Sequence, residues 1–332
     1  MEIEAKKRMN QSRVETVCVT GAGGFVASWI VKLLLQRGYN VRGTVRDHGD
    51  AKNEHLKNLE GAKEGLNILK ADLLDYDSIL AAIDGCSGVF HTACPVPSGR
   101  VSDPEAEIVN PAVKGTLNVL KACSVAGVKR VIMTSSLAAV YLIQNRHINK
   151  LVDESCWSDP EYCKTTQNWY FMSKTVSEQE AWTFSKENGL DLVTVCPSLT
   201  LGPMLQPTTN TSSQYFSQLL TGNSERCENL VRNIVDVGDC AKAHLLAYET
   251  PAAAGRYLCT GHTIKNKELV DILQRLYPQY TYPKVFVDAE SYLSGPERLS
   301  DGKLRDLGLE YVKLEKTLVN TVECLQKRSI LK

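Results

Sequence analysis

The sequence of 332 residues predicts an α/β fold in which helices cover both faces of a doubly wound parallel sheet, beside a smaller α+β lobe. Short apolar segments rich in β-branched residues alternate with helical segments, which is typical of such sheets because their strands are buried on both faces. A glycine-rich turn directly follows the first apolar segment. The alternation stops after Pro197, where the second lobe is expected to begin.

Strand–helix units follow one another through the first part of the chain. The first strand is predicted over residues 14–20 and the first helix over residues 29–37, where Gly38 ends an apolar stripe. Further strands are predicted over residues 40–45, 66–72, 88–92, 130–135 and 190–196. The helices between them are predicted over residues 52–58, 77–83, 104–126 and 166–188. These units indicate a Rossmann domain over residues 14–196.

The chain after Pro197 lacks this alternation. The segment LTLGPMLQPTTNTSS is rich in Gly, Pro, Thr and Ser and is predicted to form a long loop. Beyond it, helices are predicted over residues 213–220 and 314–327, and strands near 256–260 and 284–287. The two lobes are expected to interleave, with residues 236–260 returning to the Rossmann sheet, residues 197–235 and 261–328 forming the substrate-binding lobe, and residues 1–13 forming a flexible tail.

Composition excludes several function classes. Lys plus Arg equals Asp plus Glu at 38 each, so no net field favours nucleic acid or an anionic membrane. No apolar run approaches the roughly 18 residues that cross a bilayer, and the N-terminus lacks the apolar core of a signal peptide. The eleven cysteines form no CxxC pair, which predicts free thiols in a reducing cytoplasm and no metal site. A monomer and a homodimer both remain open.

The glycine-rich turn predicts a dinucleotide site. The sequence Thr20-Gly21-Ala22-Gly23-Gly24-Phe25-Val26-Ala27 links a predicted strand to a predicted helix. This context distinguishes a dinucleotide motif from a chance match. Gly21 permits a tight turn, and Gly24 lets the backbone approach a pyrophosphate placed at the helix N-terminus.

The end of the second strand predicts which cofactor is bound. An acidic residue there binds the ribose 2′-hydroxyl of NAD, whereas an arginine accepts the 2′-phosphate of NADP. Here Arg46 comes first, Asp47 lies one step into the loop, and Lys52 adds charge nearby, so NADP(H) is predicted. Further cofactor contacts are expected at the ends of the third and fourth strands: Asp72 and Leu73 at the adenine, and Thr92 and Ala93 at the pyrophosphate and ribose.

Tyr170 and Lys174 lie four residues apart in a predicted helix, so their side chains share one face. A nearby ammonium favours the phenolate and lowers the pKa of a phenol, which is about 10 in isolation. Tyr170 is therefore a candidate proton donor, and Lys174 would also hold the nicotinamide ribose. Ser135 or Ser136 could donate a hydrogen bond to a substrate carbonyl, and only one can face it because adjacent strand residues point to opposite sides.

These residues resemble the motifs of the extended short-chain dehydrogenase/reductases, and more closely those of the plant cinnamoyl-CoA reductase and dihydroflavonol reductase branch. The resemblance runs from about residue 14 to the C-terminus and rests on the strings VCVTGAGGFVASW, GTVRD, VFHTACPV, TSSLAAVY, VDESCWSD, NWYFMSK, LTLGPMLQPTTNTSS and GRYLC. It implies an NADP-dependent oxidoreductase with Ser136, Tyr170 and Lys174 as its catalytic triad. The cofactor contacts that it implies are Gly21, Ala22, Gly23, Gly24, Phe25, Val26, Ala27, Arg46, Lys52, Asp72, Leu73, Thr92, Ala93, Cys94, Pro197, Ser198, Leu199, Thr200 and Ser212, together with Tyr170 and Lys174.

Departures from this branch bear on the substrate. The cinnamoyl-CoA reductases carry Tyr-Cys-Tyr-Gly-Lys around the catalytic pair, where this chain has Tyr-Phe-Met-Ser-Lys, nearer to dihydroflavonol and simple aldehyde reductases. They also carry a His and a Lys associated with holding coenzyme A, and the matching positions here are Tyr215 and Gln218. Of that group of substrate residues only Arg256 is retained. Losing a histidine and a cation removes attraction for the phosphates of coenzyme A.

The leading hypothesis is an NADPH-dependent reductase of a hydroxycinnamaldehyde or a related aromatic aldehyde or ketone. A hydroxycinnamoyl-CoA reductase and a dihydroflavonol 4-reductase are the alternatives. An epimerase or dehydratase acting on a nucleotide sugar uses the same fold and triad, but it retains NAD, which Arg46 disfavours. A non-catalytic NADPH sensor is disfavoured because Tyr170 and Lys174 are both present.

Overall fold

The computed structural model describes residues 15–47, 49–94, 101–144, 150–221, 225–288, 294–300 and 302–331. The predicted tail over residues 1–13 lies outside these ranges. The strands of the described chain are β1 (Thr16–Thr20), β2 (Asn40–Val45), β3 (Leu66–Lys70), β4 (Gly88–His91), β5 (Arg130–Thr134), β6 (Leu192–Pro197), β7 (Leu199–Leu201), β8 (Arg226–Glu228), β9 (Val231–Asp236), β10 (Gly255–Cys259), β11 (His262–Lys265) and β12 (Val285–Val287).

Seven of these strands form one parallel sheet in the order β10-β6-β5-β4-β1-β2-β3, which confirms the predicted doubly wound fold. Strands β2 and β3 extend the sheet on one side of β1, while β5, β6 and β10 extend it on the other side of β4. The chain connections after β1 and β4 therefore leave in opposite directions. Doubly wound sheets bind ligands in the crevice that opens at this point, outside the carboxyl ends of the strands.

Helices cover both faces of the sheet. They are α1 (Phe25–Gln36), α2 (Glu54–Lys57), α3 (Ala62–Gly65), α4 (Tyr76–Ile83), α5 (Asn110–Val125), α6 (Pro160–Thr165), α7 (Trp169–Asn188), α8 (Thr211–Leu220), α9 (Val237–Glu249), α10 (Asn266–Leu276), α11 (Gly302–Asp306) and α12 (Leu314–Lys327). Helices α1 and α9 pack on one face, and α4, α5 and α7 pack on the other. Because successive strand residues face opposite sides, Val17 and Val19 are buried in the first layer and Cys18 in the second.

The second lobe contains more regular structure than the sequence predicts. A three-stranded sheet in the order β11-β9-β7 and the pair β12-β8 accompany α8, α10 and α12, whose apolar faces share one core. The predicted loop after Pro197 thus includes β7, which is too short for a periodic signal. As expected, β10 lies in the large sheet and α9 packs against α1. The boundaries drawn between the two lobes stay a prediction.

The helices also differ from the predicted elements: α3 and α6 were not predicted, and three others begin at different residues. Helix α1 begins at Phe25, directly after the glycine turn, and not at residue 29. The helix predicted over residues 104–126 begins with one wider turn over Glu105–Val109. The helix predicted from residue 166 is interrupted by Gln167, whose φ of 56° belongs to the left-handed region, so α7 begins at Trp169.

Candidate active site

The turn between β1 and α1 is shaped to receive a phosphate group. Gly21 has a φ of 64°, and a Cβ on it would lie 2.9 Å from the Cβ of Ala93, so this position has no room for a side chain. A Cβ on Gly23 would lie 2.2 Å from Oδ1 of Asn53. Gly24 precedes α1, and no side chain caps the amides at the start of that helix. These amides therefore remain available to bind an anion.

A buried histidine, His91, helps to fix the segment that follows β4, across the crevice from the glycine turn. The pKa of His91 falls to about 3, first because the ring is buried and second because Lys174 is positive, so the imidazole is neutral. Thr20 Oγ1 accepts hydrogen bonds from the amides of Thr92 and Ala93, both at 3.1 Å, so its own proton goes to Nδ1 of His91 at 3.0 Å. The side chain of Thr20 thereby holds the predicted cofactor contacts after β4 against the glycine turn. Sequence reasoning missed this role of Thr20, although the residue immediately precedes Gly21.

The residues predicted to select the cofactor lie at the end of β2. Arg46 is exposed there. Lys52 is half-exposed and forms an ion pair with Asp50 at 2.6 Å. A bound phosphate would therefore compete with Asp50 for the ammonium of Lys52. Asp72 and Leu73 follow β3, where Nδ2 of Asn118 donates to the carbonyl of Leu73 at 2.8 Å.

The other predicted cofactor residues lie after β4 and around β6 and β7. Cys94 is half-buried and lies close enough to Lys174 to affect its pKa. Ser198 donates from both its amide and its hydroxyl to the carbonyl of Cys259. Ser212 donates its hydroxyl proton to the carbonyl of Thr200 at 2.6 Å, so a phosphate contact at Ser212 would have to replace this bond. The remaining predicted contacts here are Pro197 and Leu199.

Tyr170 and Lys174 are one turn apart on α7, as their spacing predicts. The ring of Tyr170 is 54% exposed, whereas Lys174 is only 8% exposed and donates from Nζ to the carbonyl of Thr134 at 3.3 Å. Burial lowers the pKa of Lys174, but the charges of nearby acidic groups, including Cys94, Tyr170 and Glu178, outweigh it and leave the pKa raised. The amine is therefore an ammonium at neutral pH, next to an accessible phenol.

The geometry after β5 favours Ser136 over Ser135 as the residue that faces a substrate. Ser135 is buried and donates from Oγ to Oε2 of Glu178 at 2.6 Å, so its proton is already used. Ser136 accepts at Oγ from the amide of Ala138 at 3.1 Å. Since that bond uses the oxygen as an acceptor, the hydroxyl proton of Ser136 is left for another partner.

Arg256, which is predicted to contact the substrate, lies inside the protein, and that contact stays a prediction. Its guanidinium is buried and pairs with Glu178 at 2.8 Å, and the guanidinium carbon lies over the ring of Trp157, 3.7 Å from the ring centre. All five N–H groups of Arg256 point at acceptors within the protein, which are both carboxylate oxygens of Glu178 and the carbonyls of Ala139, Glu154 and Cys156. No donor of this side chain remains for a ligand.

Tyr215 and Gln218 lie on α8 in the second lobe. The ring of Tyr215 is half-buried with the Arg232 guanidinium 4.6 Å from its centre, and its hydroxyl donates to Oδ1 of Asn266 at 3.4 Å. Burial raises the pKa of Tyr215 despite the charge of Arg232. Gln218 is exposed. Contact between a substrate and either residue stays a prediction.

The site thus brings together, at one edge of the sheet, the groups that carbonyl reduction needs. A glycine cradle with uncapped amides fits a pyrophosphate, and Ser136, Tyr170 and Lys174 supply a hydrogen-bond donor, a phenol and a cation.

Within the described ranges, no three His, Cys, Asp or Glu side chains come together to hold a metal ion. Nor does any helix of the described chain have the length and apolarity to span a bilayer. All eleven cysteines are free thiols, and seven of them are buried.

The sequence and the fold resemble those of known reductases. The sequence matches the NAD dependent epimerase/dehydratase family over residues 17–259. It is 50% identical over 317 residues to cinnamoyl-CoA reductase 1 of Petunia hybrida, covering 96% of this chain and 94% of that protein. The crystal structure of vestitone reductase from alfalfa (Medicago sativa) superposes with a TM-score of 0.82 at 33% identity, covering 95% of this chain and 99% of the other. The yeast methylglyoxal/isovaleraldehyde reductase Gre2, complexed with NADPH, gives a TM-score of 0.83 at 26% identity, covering 95% of this chain and 100% of the other. These findings confirm the resemblance that the sequence strings indicate.

The glycine cradle gives a first prediction. Gly21→Ala should weaken NADPH binding by about 10-fold or more, because the new Cβ strains the backbone and pushes against Ala93. The matched control is Gly127→Ala, since Gly127 has the same φ of 64° but no atom within 4 Å of the position that a Cβ would take. Both variants should lose about 1–2 kcal/mol of stability. Fluorescence titration with NADPH should separate them, and equal NADPH affinity in the two variants would contradict the role of the cradle.

Proposed function

The chain belongs to the NAD dependent epimerase/dehydratase family, and on that premise we propose that it is an NADPH-dependent reductase of an aromatic, phenylpropanoid-type carbonyl compound. The observation that carries this proposal is the triad: an accessible phenol on Tyr170, a buried ammonium on Lys174 and a hydroxyl donor on Ser136. They lie at the edge of the sheet that also carries the glycine cradle. The preferred substrate is a hydroxycinnamaldehyde or a related aromatic aldehyde or ketone.

Ser136 and Tyr170 act on the carbonyl oxygen, and Lys174 acts on the phenol of Tyr170. NADPH, when bound beside the triad, would supply a hydride to the carbonyl carbon. As negative charge develops on the oxygen, Ser136 donates a hydrogen bond to it, and Tyr170 transfers its phenolic proton to complete the alcohol. The ammonium of Lys174 stabilises the charge left on the phenolate, which regains a proton from water because the ring is 54% exposed.

The substrate preference depends on α8. Tyr215 and Gln218 stand where the similar cinnamoyl-CoA reductases have a His and a Lys. Neither Tyr215 nor Gln218 carries a positive charge at neutral pH. Arg256, the third residue of that set, is engaged inside the protein. A reductase of hydroxycinnamoyl-CoA is the second candidate, favoured by 50% identity to a cinnamoyl-CoA reductase over nearly the full length. Monomer or homodimer, and a cytoplasmic location, stay predictions.

Removing the phenolic hydroxyl should abolish most of the activity. Tyr170→Phe is expected to lower kcat by on the order of 10²–10⁴, the usual contribution of a positioned general acid, while NADPH binding remains. Tyr162→Phe, on the neighbouring helix α6, is the control and should keep the activity of the unmodified chain. A Tyr170→Phe enzyme with the original kcat would exclude the proposed proton donor.

Charge at the end of β2 should decide between the two nicotinamide cofactors. Arg46→Gln is expected to lower kcat/KM for NADPH by roughly 10- to 100-fold, since charge-assisted hydrogen bonds to the 2′-phosphate are lost, and to leave kcat/KM for NADH unchanged. Arg37→Gln, at the exposed end of α1, controls for loss of a surface arginine and should change neither value. Equal effects of Arg46→Gln on both cofactors would contradict this assignment.

The substrate class is tested by following NADPH oxidation with coniferaldehyde, feruloyl-CoA and a dihydroflavonol side by side. The highest kcat/KM is expected with the aldehyde, because helix α8 (Thr211–Leu220) contains no Lys or Arg that could attract the phosphates of coenzyme A. Replacing Gln218 with Lys should then raise kcat/KM for feruloyl-CoA and leave that for coniferaldehyde unchanged. Turnover of feruloyl-CoA alone by the unmodified chain would reverse the order of the two candidate functions.

A further inference from the structure

Glu178 is a fully buried carboxylate one turn beyond Lys174 on α7. Its Oε2 accepts from Oγ of Ser135 at 2.6 Å, and its Oε1 accepts from Oγ1 of Thr194 at 2.7 Å. Nε and Nη2 of Arg256 donate to the two oxygens at 2.8 and 3.1 Å. One carboxylate therefore joins the helix of Tyr170 and Lys174 to the end of β5, to β6 and to β10.

The bond to Ser135 determines where the next residue points. With the side chain of Ser135 held inward by Glu178, the side chain of Ser136 must leave the strand on the opposite side. Ser136 then accepts from the amide of Ala138 and begins the short helical turn over Leu137–Ala139. The direction of the Ser136 hydroxyl thus depends on a carboxylate that it does not touch.

Arg256 continues the same network to the far side of the site. Its remaining donors reach the carbonyl of Ala139, at the end of that helical turn, and the carbonyls of Glu154 and Cys156. The plane of the guanidinium covers Trp157 at 3.7 Å. The arginine therefore joins the turn that follows Ser136 to the segment that precedes α6, and it holds Glu178 in a single orientation through two bonds.

The carboxylate also acts on Lys174 through its charge. It is one of the groups that raise the pKa of the Lys174 ammonium against the effect of burial. Neutralising Glu178 would leave burial less opposed, so the ammonium would lose its proton at a lower pH than in the unmodified chain.

We propose that Glu178 and Arg256 form a positioning pair for the active site, which turns Ser136 toward the substrate through Ser135. This inference rests on the proposed reductase function, because its main readout is turnover. Neither residue contacts the substrate or the reacting atoms; both act through Ser135 and Ser136.

The test compares three variants by NADPH affinity, kcat, the pH profile of kcat and Tm. Glu178→Gln keeps the shape of the side chain but removes its charge, and should lower kcat by on the order of 10–10² with NADPH affinity unchanged. The alkaline limb of its pH profile should move to lower pH. Ser135→Ala cuts only the link to Ser136, so kcat should fall while the alkaline limb stays in place.

Asp239→Asn is the matched control for losing a buried carboxylate. Asp239 is fully buried on α9, accepts from Lys242 Nζ at 3.2 Å and from the amide of Val312 at 2.7 Å, and lies outside the proposed network. This variant should show a lower Tm with the original kcat and pH profile. A merely structural role for Glu178 would give the same pattern in Glu178→Gln, and that result would overturn the proposal.

Two further outcomes also decide the proposal. If Glu178→Gln does not fold, Ser135→Ala decides, since an unchanged kcat in that folded variant would equally overturn the proposal. If the unmodified chain reduces no carbonyl compound, the proposed function fails, and the positioning pair is judged by crystal structures of the unmodified chain and of Glu178→Gln. The side chains of Ser135 and Ser136 should change direction in Glu178→Gln, and identical directions in the two proteins would reject the pair.

Discussion

The site depends on keeping the ammonium of Lys174 charged inside the protein. Transfer of an ion from water into a protein interior costs several kcal/mol unless neighbouring groups compensate. Lys174 is 8% exposed, and its ammonium donates to the carbonyl of Thr134. Nearby acidic groups, first Cys94 and Tyr170 and then Glu178, outweigh the effect of burial and leave the pKa of Lys174 raised. The carboxyl end of β5 and the first turns of α7 must therefore keep one relative position, which also places Tyr170 and Ser136.

The same cation acts on the cofactor side of the crevice. Together with burial it holds His91 neutral, so that Nδ1 can accept the proton of Thr20. A protonated ring would present N–H groups at both nitrogens and would lose this acceptor. Thr20 in turn holds the amides of Thr92 and Ala93 beside Gly21. The catalytic helix and the glycine cradle are thus connected by electrostatics as well as by the sheet.

Local patterns predicted what depends on neighbours in sequence, and they failed where the partners are far apart. The spacing of Tyr170 and Lys174 and the glycine turn are each contained in a few residues, so both could be read directly. The role of Glu178 could not, because its partners Ser135 and Arg256 lie 43 and 78 residues away along the chain. For the same reason the sequence does not indicate that Arg256 pairs with Glu178. In the second lobe β12 was predicted, whereas β7 and β8 were missed because three residues carry no clear period, and β9 and β11 were missed as well.

Burial of Glu178 with Arg256 is not explained by stability. Replacing a buried ion pair by apolar side chains of similar volume is often neutral or stabilising, because both ions must give up their hydration. Apolar side chains could fill this volume, but they could not bind the hydroxyls of Ser135 and Thr194 in fixed directions. Nor could they bind the backbone carbonyls that Arg256 reaches on either side of the site. Directional bonds at this place hold the side chain of Ser135 and so bear on the direction of Ser136, the next residue. The buried ion pair is therefore best explained by the orientation that its bonds impose on the active site, and not by a gain in stability.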